Sequence, residues 1–177
     1  ITVLAYAAGT PVFDGPEDRK GKRNHDENLL WLRYLEGALP YDPPKGLVVI
    51  AGNANQDPQD GEGLKDAINT VLGSPRIQDA SPKSTPGALA SPEQAGANIT
   101  HLSDPIYDTV DWADEDGDAG NLRVSYVLPD SRMEVVQSGV FWPGAEDALF
   151  EAYAEEDAPQ HRLVWVDVLF QIKGKAG

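Results

Sequence analysis

The chain contains no cysteine, a single methionine and only three histidines in 177 residues. Without cysteine there is no disulfide, no thiol nucleophile and no Cys-type zinc site. Three histidines leave no room for a histidine-rich metal centre. Cations are scarce as well: 14 Lys and Arg stand against 29 Asp and Glu, for a net charge of −15. A bare surface this acidic repels the phosphates of nucleic acid and of anionic membranes, so direct non-specific nucleic-acid binding is not expected; a bound divalent cation would be needed as a bridge. No apolar run is long enough to span a bilayer, and no signal peptide is read. The chain starts at Ile1 rather than methionine, which reads as a processed product or a piece of something longer. Absent cysteine and an acidic surface together suit a secreted or periplasmic bacterial protein. The plainer account of the charge is a solvated acidic surface.

What is present is enough for one domain. Hydrophobic residues make up 41% of the chain, with 4 Trp, 6 Tyr and 4 Phe to fill a core. "ITVLAYA" reads as a strand and "GTPVFDGPEDRKGKR" as a loop punctuated by Gly and Pro. "NHDENLLWLRYLEG" predicts a helix over 24–36, capped by Asn24 with Glu27 three residues on, and stopped by Gly37. "GLVVIAG" is a continuous apolar run, as expected of a strand buried on both faces. Leu64, Ala67, Ile68, Val71 and Leu72 form a helical stripe that predicts a second helix over 62–72, closed by Gly73. Residues 74–98 are rich in Ser, Pro, Ala and Gly and are expected to form a long surface loop, and "DTVDWADEDGDAGN" an acidic one. "LRVSYVLP", "MEVVQSGVFW" and "HRLVWVDVLF" read as three closing strands. The order is α/β first and antiparallel after, one domain over 1–170 with a flexible tail at 171–177. Two helices are few to cover strands that are apolar on both faces, which raises the expectation of a partner.

Several segments carry a family resemblance. "PVFDGPEDRKGKRNHDEN", "DTVDW", "NLRV", "YVLP" and "HRLVWVD" together resemble the C-terminal half of the endonuclease/exonuclease/phosphatase superfamily. More narrowly they are similar to a bacterial branch with a PVFDGPEDRNG-type segment. The resemblance runs over residues 2–168. It implies a deoxyribonuclease I-like β-sandwich flanked by helices, of which about one half is present here. It also implies metal-dependent phosphoester hydrolysis, with Mg²⁺ or Mn²⁺ as cofactor if the chain is active.

The family's site residues are altered here. A sheet-end loop that reads Gly-Asp-x-Asn in the superfamily is Gly52-Asn53-Ala54-Asn55. The resemblance assigns Asn55 to a phosphate oxygen, but Asn53 stands where a carboxylate orients water. An amide is never anionic, so it is a poor base and a weak cation ligand. The late Asp-His pair is Gln160-His161, with the phosphate-contacting histidine kept and the carboxylate gone. The strand Asp-Tyr-Val-Leu, whose aspartate orients that histidine, is Ser125-Tyr126-Val127-Leu128; serine cannot stabilise an imidazolium by charge. A histidine of the opening strand aligns with Ala7. The metal-holding glutamate of the N-terminal half has no counterpart in these residues. Each altered position also has a plainer reading: asparagines satisfying loop backbone, a structural histidine, a polar strand residue.

The sequence therefore points to a degenerate phosphoesterase-like domain that acts in binding or assembly. The alternative is an active divalent-metal phosphodiesterase, phosphatase or nuclease, completed by an N-terminal half on another segment or chain. A third reading is a Ca²⁺-stabilised extracellular module, since Asp57 and Asp60 in "NANQDPQDGEG" and Asp114, Asp116 and Asp118 in "DEDGDAGN" are dense in the oxygen ligands that calcium takes. Neither stretch fits the 12-residue calcium loop, and the plainer reading is two solvated loops. "NIT" at 98–100 fits a glycosylation triplet, relevant only in a eukaryotic secretory setting. The partner expected is the N-terminal half, or a second copy in a homo-oligomer.

Overall fold

The computed structural model describes residues 1–94, 96–115, 117–153 and 158–171, with side chains described outside 90–94. Among them the chain is mixed α/β, with two small sheets and four helices. The first sheet has the order β1-β2-β3, from β1 (Thr2–Ala7), β2 (Val48–Asn53) and β3 (Ser125–Pro129). β1 and β2 are parallel and joined by the crossover helix α1 (Arg19–Leu35); β3 returns antiparallel to β2. The second sheet is the antiparallel pair β4 (Glu134–Phe141) and β5 (Leu163–Leu169). β5 also packs beside β3, and that contact joins the two sheets.

One face of the first sheet makes the core. Alternation along a strand sends every second side chain to the same face. Leu4, Ile50 and Leu128 lie in one cross-strand row, and Tyr126 is in the neighbouring row with Tyr6. They pack with Val48, Leu32 of α1, and Ile68 and Val71 of α2 (Asp66–Leu72). Ile50, Ile68 and Leu128 are at most 2% exposed. Full burial of such a side chain contributes roughly 1.5–3 kcal/mol each.

Two expectations from the sequence need correction. α1 begins at Arg19, not Asn24. The Asp14 carboxylate accepts from the Lys20 amide at 2.5 Å, so the run after Pro16 winds into helix instead of staying loop. Asn24 is then an interior helix residue with 0% exposure, its side-chain amide turned to the sheet. Residues 74–98 are not a bare surface loop either. Ile77 is buried and bridges to Asp130, and α3 (Thr85–Gln94) follows. Ser84 caps α3 by accepting from the Gly87 amide, and Pro86 sits in its first turn, where a missing N–H costs nothing. The acidic stretch from Asp108 to Asn121 is anchored: Asp108, Thr109 and Val110 are buried, and Val110 bridges both Leu122 and His161. α4 (Phe150–Tyr153) was not foreseen. The tail expected at 171–177 lies outside the described residues from 172 onward.

Candidate functional site

The C-terminal ends of β1 and β2 and the start of β3 form one row: Ala7 pairs with Asn53, and Asn53 with Ser125. Gly52 just before it has φ +156°, and a Cβ there would lie 1.9 Å from the Tyr6 carbonyl oxygen. Only glycine lets β1 approach so closely. Past the row the chain turns sharply. Asn53 Oδ1 accepts from the Asn55 amide at 2.7 Å, an Asx turn, and Asn55 takes the left-handed φ of +47° that asparagine tolerates. Asn55 Nδ2 donates to the Ala8 carbonyl at 2.7 Å, and Asn53 Nδ2 to Asn55 Oδ1 at 3.2 Å. Both amides are thus engaged by each other and by the backbone.

The loop is held from below by α1. Asn24 Nδ2 donates to the carbonyls of Gly9 and Ala54, both at 2.8 Å. Asn28 Nδ2, one turn on, donates to Asn24 Oδ1 at 2.9 Å and to the Ala54 carbonyl at 3.1 Å, and its Oδ1 accepts from the Tyr6 hydroxyl at 3.1 Å. Two asparagines four residues apart on the covered face of a helix were the available signal for this anchor.

The His161–Arg162 segment is linked to β3 through Thr109. Thr109 Oγ1 accepts from the amides of Val124 and Ser125, both at 2.9 Å, and its carbonyl accepts from the Arg162 amide at 2.9 Å. One residue therefore ties the Ser125 end of β3 to the His161–Arg162 segment. The imidazole is exposed at one side and meets the edge of Trp112, ring centroids 5.8 Å apart. Partial burial lowers its pKa from the usual histidine value. The Gln160 carbonyl accepts from the Asp111 amide at 3.0 Å. Ala7 and Gln160 are exposed, and Ser125 is half-buried.

No protein-family model and no curated protein matches the chain in sequence.

The acidic stretches are built into the same end of the molecule. Asp57 is 1% exposed, and its carboxylate accepts from the amides of Gln59, Asp60 and Arg123 at 2.7, 2.8 and 2.9 Å. Asp60 accepts from the Leu102 and Ser103 amides, each at 2.8 Å, and from the Ser103 hydroxyl. These carboxylates organise loops. Burial nevertheless raises the Asp57 pKa, whereas the Ser103 and Leu102 donors outweigh burial and hold that of Asp60 down. Asp60 and Asp118 line one cavity of about 700 Å³ together with Glu62 and His101, so the two stretches do meet. Asp114 is half-buried, and Asp116 lies outside the described residues. Among the described residues, no three acidic or imidazole groups are placed to hold a metal ion.

Two further groups escaped sequence reasoning. Asp108 is 3% exposed beside Asp57, Asp60 and Asp104; burial first, and those charges next, push its pKa up to about 8. Arg162 is buried between Trp142 and Tyr153, its guanidinium carbon 4.6 and 5.1 Å from their ring centroids, and donates to Asp111 at 2.5 Å. Both sit in stretches whose chain pattern reads as loop or strand start, where no periodicity announces burial.

Proposed function

We propose that the chain is a phosphoesterase-like half-domain, a degenerate relative of the deoxyribonuclease I-like sandwich, that acts by binding or assembly and not by hydrolysis. The observation that carries the reading is the sheet-end row Ala7–Asn53–Ser125. It offers no carboxylate at the place where the resemblance requires one, and the two asparagines that remain are bonded to each other and to Ala8. Where the resemblance has the carboxylate that orients the histidine, this chain has Ser125, and burial lowers the His161 pKa, which favours the neutral imidazole. A base, an orienting carboxylate and a metal ligand each contribute roughly 10²–10⁴ in rate, so their joint loss removes useful turnover.

Mg²⁺ or Mn²⁺ would be the cofactor of an active relative, and nothing in the row supplies an anionic ligand for either. The test is restoration. The triple variant Asn53→Asp, Ser125→Asp, Gln160→Asp is expected to stay inactive on a simple phosphodiester with Mn²⁺, because the glutamate of the other half is still missing. Metal-dependent turnover by the triple variant would show instead that this half holds a complete site. The calcium-stabilised module draws on the cavity shared by Asp60 and Asp118. It ranks behind the assembly reading because Asp60 is spent on the Leu102 and Ser103 donors and, among the described residues, no three acidic or imidazole groups are placed to hold a metal ion; a Ca²⁺-dependent rise in melting temperature would reverse that order.

A further inference from the structure

We propose that the outer face of the β4–β5 sheet is a docking surface for a basic, apolar polypeptide segment, the partner class that the assembly reading above leaves unspecified and on which this proposal rests. In an antiparallel pair, opposed residues share a face. Here that face carries Leu163 opposite Phe141, Trp165 opposite Gly139, Asp167 opposite Gln137 and Leu169 opposite Glu134. Leu163 and Leu169 are 63% and 60% exposed, and Phe170 beyond them 40%. Trp165 lies flat across Gly139, where an added Cβ would meet its ring at 2.8 Å, so the indole forms a floor. The surface runs into a cavity of about 1160 Å³, which Trp165 lines with Trp142, Phe150, Tyr153 and Leu89. Apolar surface of this continuity marks an interaction site.

Charge selects the occupant. Asp167 lies within the apolar rows and Glu134 at their end, while Glu146 and Asp147 line the cavity. All four are exposed. Among the described residues that line the cavity, both cations are already engaged: Arg162 is paired with Asp111, and the Lys83 ammonium lies 5.3 Å from the Tyr107 ring centroid. An apolar centre with carboxylates around it complements apolar side chains flanked by Lys or Arg. The cavity wall already shows its affinity for such a cation, since Trp142 and Tyr153 sandwich the Arg162 guanidinium. A second copy is disfavoured, because two chains of net charge −15 would set carboxylate against carboxylate. Nucleic acid and anionic lipid are repelled for the same reason.

The experiment uses a fluorescein-labelled peptide of alternating leucine and lysine, titrated with the full chain and read by anisotropy. Saturable binding is expected that weakens with salt. The double variant Leu163→Ser, Leu169→Ser changes only exposed side chains and leaves the net charge alone; it is expected to weaken binding about tenfold or more, as loss of apolar anchors does. Glu146→Gln with Asp147→Asn is expected to reduce the salt dependence. Undiminished binding by the serine variant would mean attraction to net charge only and would overturn the proposal. Equal binding of a leucine–glutamate peptide would overturn the basic partner. A homodimer that the serine variant dissociates would give the face to a second copy. Phosphodiester turnover would overturn the non-catalytic reading separately, without touching any of these outcomes.

Discussion

Asp108 is a carboxyl that the fold keeps protonated. With burial and the neighbouring charges of Asp57, Asp60 and Asp104 pushing its pKa to about 8, the folded chain holds a proton that the unfolded chain releases near the usual aspartate value. A carboxyl raised in this way favours folding at low pH. Its contribution is whole below pH ~4 and is lost as pH climbs from there to about 8, at up to about 1.4 kcal/mol per pH unit. Asp79, held down chiefly by its bidentate hydrogen bonds to Arg123 against burial, works oppositely: its stabilisation is present above pH ~4 and is lost as pH falls below it. Asp108→Asn is therefore expected to melt higher than the parent at pH 8 and level with it near pH 4. Melting curves at several pH values check this; a constant difference across the range would contradict it. That Asn53, Ser125 and Gln160 carry no carboxylate was legible in the sequence, because residue identity is read directly. Asp108 was not, because nothing in "IYDTVDW" announces that this aspartate turns inward while Asp104 stays exposed.

At the scale of elements, Thr109 and Asn24 do more than their neighbours. Thr109 Oγ1 satisfies two amides, those of Val124 and Ser125, at a buried strand entry. Thr109→Val keeps the shape and leaves both donors empty, an expected loss of about 2–4 kcal/mol, since each unsatisfied buried donor costs roughly 1–3. Thr109→Ser is expected to recover most of it; urea unfolding measures both. Asn24→Ala takes the side-chain donor from the Gly9 carbonyl and one of two from the Ala54 carbonyl, which Asn28 still bonds, and is expected to cost about 1–2 kcal/mol by the same reasoning. Equal stability of either variant with the parent would remove these anchors from the account. Strands β1, β2, β4 and β5 were readable because apolar runs bounded by Gly and Pro survive any tertiary context. The true start of α1 was not: Asp14 reaches forward to the Lys20 amide from a loop of irregular path. α3 was announced by Ser84, Thr85 and Pro86, a cap and a first-turn proline, but the surrounding Ser, Pro and Ala drowned the signal.

For the whole molecule, the first sheet buries one face under α1 and α2 and leaves the other half-covered, with Val3 63% exposed on the edge strand β1. The sequence foretold the mixed α/β class; it read two helices where the described residues form four, and it did not foretell that the last two strands would form a sheet of their own. The central claim is chemical, and turnover tests it most directly: the purified chain with a simple phosphodiester and Mg²⁺ or Mn²⁺, beside the His161→Ala variant and a chelator control. The account predicts hydrolysis no faster than buffer with metal in every sample. Metal-dependent turnover that is abolished by chelator and by His161→Ala would contradict it, and would make the row at Asn53 a working active site.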